Sequence, residues 1–293
     1  MSWVFLILVY GIFKGFREAL KKKAMEKHSV MEVLFFYTLF AFLMIIPFSS
    51  GIFQISFKAH LLILFKSFII FVAWICALNS IKRLPLSLYS VIDMSRMLFS
   101  ISFGVIFLKE ALGIYEIVGM VLVLTGITLV NLKTKTRDGV DEKPKKLVLL
   151  LVLASCILNS VSALLDKLIL AENGCVLLGG EFITTSQLQF WYMLYLTSFY
   201  GIYILIKREK ISFKKSVTSP VIWIMSLLFI VADRALFIAN ADPQSRLTIM
   251  TLIKQSSVLV TITLGKIIYK EKHILYRILC AILIICGIVI SVL

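Results

Sequence analysis

The chain is poor in charge and poorer still in acid. Only 16% of its 293 residues are Asp, Glu, Lys or Arg and 60% are hydrophobic, whereas about a quarter of a soluble globular protein is charged. With a mean hydropathy of +0.99, this shortage excludes a soluble domain and implies a chain that crosses a membrane several times. Acids number 16 against 31 Lys and Arg, a formal net charge of +15. Nucleic acid is not the implied partner, because many of the basic residues fall at helix ends and in short loops, where anionic headgroups and the insertion machinery read them. Cysteine and histidine are scarce too. Cys76, Cys156, Cys175, Cys280 and Cys286 lack metal-ligand or redox spacing and four lie in apolar runs, which assigns them to packing. His28, His60 and His273 stand apart, near predicted helix ends. Without a His/Cys/Asp cluster, a nucleophile–base spacing or a phosphate-cradling glycine loop, a membrane enzyme or lipid-handling protein is disfavoured, and neither metal nor cofactor is expected. A Walker motif and a repeated selectivity-filter segment are also missing, which leaves a gradient or exchange as the energy source and disfavours a channel.

What the chain does have is long apolar runs. Hydropathy places ten helices of about twenty residues, at 2–22, 31–50, 59–80, 86–108, 113–131, 147–170, 187–206, 220–240, 246–268 and 274–293. The run from Trp3 to Phe13 has neither a basic region before it nor a small-residue cleavage site after it, so it is expected to stay as a membrane helix. The polar segment Lys133 to Lys146, KTKTRDGVDEKPKK, is the most linker-like stretch. It divides the chain into 1–132 and 147–293, five predicted spans each. Residues 171–186, with Gly174, Gly179 and Gly180, read as an extramembrane loop.

The two halves end alike. Residues 99–132 and 260–293 share an apolar helix, a charged elbow (FLKE, with Lys109 and Glu110; IYKE, with Lys270 and Glu271) and a final apolar helix with a late glycine, Gly126 or Gly287. An odd number of spans per half makes the second half enter the membrane in the opposite sense, so the expected fold is all-α, an integral membrane protein of ten transmembrane helices in two inverted five-helix repeats. The fifth and tenth spans lack internal ionisable residues apart from cysteine and are expected at the periphery, packed through Gly119, Gly126 and Gly287. Substitutions such as Val123→Ala or Ile284→Ala are expected to leave transport nearly intact.

The other spans carry charge, which normally faces a cavity or a partner because burying it in lipid costs at least about 2.5–3.5 kcal/mol. Lys14, Arg17 and Glu18 share one face of the first span, and Asp93 and Arg96 share a face of the fourth. Asp166–Lys167 and Asp233–Arg234 are adjacent, so their members point about 100° apart. Glu18, Asp166, Lys167 and Arg234 are assigned to structural or gating ion pairs. Counting Lys66 and Lys254, bases exceed acids by about three, leaving cations to meet something negative. Lys66 and Lys254 rank first, since neither has an acid within a turn of its own helix. Candidate substrate contacts are Lys14, Arg17, Lys66, Trp74, Tyr89, Asp93, Arg96, Asp233, Lys254 and Gln255. Aligning the elbows sets Asp93 opposite Lys254. The uncharged seventh span, with Phe190, Trp191, Tyr192, Tyr195, Phe199, Tyr200 and Tyr203, packs against neighbours or lines one wall.

The duplication and the two elbows resemble the EamA-like branch of the drug/metabolite transporter superfamily, with Glu110 and Glu271 at the glutamates of the family turn and Lys109 and Lys270 where the family carries glycine. The resemblance implies a secondary transporter whose central cavity is lined by spans one to four and six to nine. The expected cargo is a small anionic or zwitterionic metabolite in a basic cavity, moved by alternating access, with a coupling ion or counter-substrate as a further partner. The alternative is an amino-acid or organic-cation exporter using Asp93 or Asp233 for an amine or a proton. The expected location is a bacterial-type inner membrane. The basic loops, after spans one, three, five and seven, put both termini outside by the positive-inside rule, whereas the resemblance implies cytoplasmic termini; a reporter fused at Leu293 distinguishes the two.

Overall fold

Pro47 ends the second apolar helix early, a departure from the span that hydropathy predicts. In the computed structural model, which describes residues 2–49, 51–81, 83, 93, 95–135, 146–209, 211–257, 260, 264 and 274–292, the chain is helical. Among the described residues the only extended pairing is an isolated bridge between Cys175 and Glu181. In chain order the helices are α1 (Ser2–Met25), α2 (Val30–Ile45), α3 (Phe57–Ile81), α4 (Ser95–Phe107), α5 (Ile114–Lys135), α6 (Lys146–Ile169), α7 (Thr185–Lys207), α8 (Phe213–Val217), α9 (Pro220–Ala241), α10 (Leu247–Ile253) and α11 (Ile274–Val292). A 3-10 turn over Ile46–Phe48 carries Pro47 and closes α2. A further departure is in the predicted ninth span: α10 stops at Ile253, Lys254 and Gln255 form a turn, and helix resumes at Ser256. Tyr89, the elbow at Lys270 and Glu271, and most of the linker lie outside the described residues.

Among the described residues four stretches are long and apolar enough to cross a bilayer, Val30–Phe48, Phe57–Ser80, Lys146–Ile169 and Pro220–Ala241, and Ser95–Phe107, Ile114–Gly126 and Ile282–Ser291 are shorter apolar helices. Local signals set the ends. Capping boxes start α2, where Ser29 and Glu32 exchange bonds, and α7, where Thr184 and Gln187 do; each satisfies two of the backbone donors that a helix start orphans. Proline at the first turn of α9 removes another.

Contacts divide the chain into two units that each draw on both sequence halves: Met1–Val72 with Leu165–Gln244, and Ala73–Leu164 with Ser245–Leu293. In the first unit α1 packs along α9, and α2 lies against α7 and α9. Aromatic faces join them, Tyr37 stacking on Phe229 at 4.7 Å and Phe40 on Trp223 at 4.0 Å. The antiparallel α2 and α7 give this unit two unlike ends. At one, buried Glu32 accepts hydrogen bonds from Ser212 N (3.1 Å) and Ser216 Oγ and lies 3.3 Å from His28 Nδ1, fastening α8 to the α1–α2 turn. At the other, Glu181 accepts from Ser56 N and Oγ at 2.8 and 2.5 Å. There, Gln187 Nε2 and Trp191 Nε1 donate to the carbonyls of Gly51 and Ile52 at 2.9 and 2.7 Å. The loop cysteine Cys175 is buried there, which pushes its thiol up and makes it a packing residue.

The second unit is built on α5 lying along α11 and α4 against α10. A Cβ on Gly119 would meet Gly287 O at 2.5 Å and one on Gly287 would meet Gly119 O at 2.7 Å, so the helices cross where neither can carry a side chain. Ile114, Val118 and Val121 on α5, and Leu279, Ile282, Ile285 and Val289 on α11, face outward. Val123 and Ile284 do not: both are fully buried. The helical period places them on the side of the seam between α5 and α11, so their substitution bears on packing.

Candidate functional site

The first unit buries Arg17, Lys66, Asp166 and Asp233. Lys66 of α3 is 1% exposed and its ammonium lies 3.1 Å from Asp166 Oδ1 in the last turn of α6. The same ammonium sits 3.7 Å from the centre of the Tyr192 ring and 5.5 Å from that of Phe237, so two aromatic faces complete its surroundings. Lys66 is therefore not one of the surplus cations. Its acid comes from another helix, which a search within its own helix misses.

Arg17 is the contrasting case. It is 5% exposed and its guanidinium lies over the Phe229 ring at 4.9 Å. Its Nε and Nη1 have no hydrogen-bond acceptor among the described residues. Tyr37, Tyr10, Asp233 and Glu18 all act on it electrostatically, and Tyr37, Asp233, Asp166 and Tyr200 act on Tyr192. One buried polar cluster thus joins α1, α2, α3, the end of α6, α7 and α9. Its chemistry is two cations, two carboxylates, and the hydroxyls of Tyr37, Tyr192 and Tyr200 against phenyl faces. The Tyr200 hydroxyl and Thr197 Oγ1 are also buried without a partner among the described residues.

The neighbouring charges are placed differently. Glu18 pairs with Lys21 at 2.8 Å, with Lys14 in electrostatic range. Lys167 turns away from Asp166 and donates to the carbonyls of Asn240 and Asp242, at 2.9 Å each. Arg234 donates to Ser186 Oγ at 2.8 Å and Gln189 Oε1 at 3.5 Å, neutral partners where an ion pair was expected. The adjacent charges point apart, as helix geometry requires.

In the second unit Asp93 and Arg96 form the i, i+3 pair read from the sequence, at 2.7 Å, with Cys156 Sγ 3.7 Å from the same carboxylate oxygen. Lys254 and Gln255 form the turn that interrupts the helix after α10, and Gln255 Nε2 reaches back to Thr251 O at 3.4 Å. Trp74 is half-buried on α3. Glu110, in the first elbow, accepts from Leu247 N at 2.6 Å and Thr248 N at 2.9 Å, capping the start of α10. Arg246 pairs with Glu116 at 2.6 Å beside it. Lys109 has φ +54°, a left-handed conformation that favours glycine, so lysine is held there at a steric cost.

The long apolar helices, with their charges turned inward, define an integral multi-pass membrane protein. Residues 1–132 match the model of the EamA-like transporter family, part of the drug/metabolite transporter superfamily, as the elbow pattern implied; members of that family are transporters. A crystal structure matches with a TM-score of 0.75 at 10% sequence identity, covering 99% of this chain and 96% of that one, a likeness of fold alone. No curated relative matches the chain.

The sequence missed Tyr37, Phe229 and Phe237. Each is an aromatic in an apolar run, and nothing local separates a ring that faces a charge from one that packs against leucine.

Proposed function

We propose that the protein is a secondary transporter that moves a small anionic or zwitterionic metabolite by alternating access, with Arg17 as the group that meets the anion. The observation that carries this reading is a guanidinium buried to 5% exposure with two N–H groups lacking an acceptor, because an unsatisfied buried donor is costly unless something binds it. Asp233, buried and acting on the same guanidinium, is placed to meet the ammonium of a zwitterion. Lys254, at a helix interruption of the kind that serves transporters as an ion or substrate site, is a second candidate contact. An organic cation fits less well, since Lys66 and Arg17 already occupy the aromatic faces it would use. The alternative, an amine or proton on a carboxylate, rests on Asp233, because Asp93 is engaged by Arg96. Packing of α2 on α7, α4 on α10 and α5 on α11, helices at corresponding places in 1–132 and 147–293, supports an inverted repeat.

The test is a thermal-shift screen of purified protein against anionic, zwitterionic and cationic metabolites. It is followed by titration of Arg17→Gln, whose ligand-free melting temperature is measured alongside. An anionic or zwitterionic ligand is expected to bind, and the variant to lose at least about tenfold in affinity, about 1.4 kcal/mol. Stabilisation by cations alone, or unchanged affinity in a folded variant, refutes the reading.

A further inference from the structure

The basic end of the first unit carries an open cleft of about 470 Å³ lined by Ser212, Phe213, Lys214, Lys215 and Thr218. Among the described residues neither Lys214 nor Lys215 forms an ion pair. The nearby acid Glu32 is already engaged, by Ser29 N, Ser212 N, Ser216 Oγ and His28. Thr218 Oγ1 donates to Lys214 O at 2.9 Å and helps fix the turn. The cleft therefore presents two ammonium groups and the Ser212 hydroxyl on a backbone tied to α2.

Its surroundings are apolar. Phe213 is 60% exposed although its ring is held edge-on against Phe36 at 5.2 Å. At the same end, Leu205 and Ile206 close α7 at 76% and 73% exposure. Antiparallel packing brings that end of α7 to the start of α2, since a Cβ on Gly201 would lie 3.3 Å from the Phe35 ring while Phe42 meets Phe190 at 5.3 Å.

We infer that this cleft binds the headgroup of an anionic phospholipid, with Lys214, Lys215 and Ser212 on the phosphate and Phe213, Leu205 and Ile206 along the acyl chains. A free phosphate would satisfy the lysines but leave the exposed apolar residues unused; an amphiphile uses both. A polybasic segment beside a membrane helix gains attraction from each lysine, and here the fold sets two of them around one cleft.

The experiment measures retained lipid by native mass spectrometry and stabilisation by melting-temperature titration on the full chain in detergent. The probes are phosphatidylglycerol, phosphatidylcholine and inorganic phosphate. Phosphatidylglycerol is expected to bind most tightly. The Lys214→Gln, Lys215→Gln variant should bind it at least about tenfold more weakly, and Lys214→Arg, Lys215→Arg should retain it. The control Lys23→Gln, Lys27→Gln, which removes two exposed charges elsewhere on the basic end, should change it little. Equal binding of phosphatidylcholine, equal binding of inorganic phosphate, unchanged affinity in the Gln variant, or an equal loss in the control each overturns the inference.

Discussion

The two units differ in the charge they enclose. In the first, Lys66, Asp166, Arg17 and Asp233 are buried together among tyrosines and phenylalanines, so charge sits where a bilayer protein can least tolerate it. In the second, Glu110 caps α10, Arg246 reaches Glu116, Asp93 pairs with the half-buried Arg96 one turn on, and the long helices meet through glycine. Charge that fastens backbone serves architecture. Charge enclosed among rings, with donors left over, is what a site for a polar molecule requires.

The comparison breaks most readily at Lys66. Removing one member of a buried pair strands the other, at about 3–5 kcal/mol, while replacing both with apolar residues is often neutral. Lys66→Met is expected to lower the unfolding free energy by that amount, and Lys66→Met with Asp166→Leu to recover most of it, in denaturation followed by tryptophan fluorescence. A mild single variant would mean that water, rather than Asp166, carries the charge. Next comes Glu110→Ala, which removes the acceptor for two backbone donors and should cost about 2–3 kcal/mol without altering ligand affinity. If affinity falls in a folded variant, the elbow does more than fasten a helix. The smallest effect sharpens the picture of α5: Val123→Ala, in the buried seam, should cost about 1–2 kcal/mol and Val121→Ala, facing outward, close to nothing. Equal costs would contradict the seam.

The four long spans, at Val30–Phe48, Phe57–Ser80, Lys146–Ile169 and Pro220–Ala241, were legible because hydropathy reports length, and length is what a bilayer demands. The Asp93–Arg96 pair was legible because i, i+3 spacing is a local property of a helix. Lys66 with Asp166 was not, since which helices become neighbours is decided by packing that no periodicity records. The same limit hid Tyr37 and Phe229, and it hid which face of the fifth and tenth spans, with Val123 and Ile284, turns into the seam. Arg17 was found by its position in an apolar run, but only the three-dimensional arrangement separates it from Lys66. The left-handed backbone at Lys109, a conformation that favours glycine, was not legible either, because a lysine in an elbow carries no sign of its φ.

The Lys66–Asp166 pair also bears on the order of synthesis. Its two members lie on either side of the linker, so the lysine leaves the ribosome long before its carboxylate exists. At about 5–20 residues per second, the interval is roughly 5–20 s. During it, α3 holds an ammonium with no counter-charge, costly to leave in lipid. Until the carboxylate arrives, the apolar residues of the third helix have to offset the cost of that ammonium by themselves, helped by a lysine stem long enough to reach toward the headgroups. The end of α6 then supplies the counter-charge, so the pair is an element of the fold that only the second half of the chain can complete.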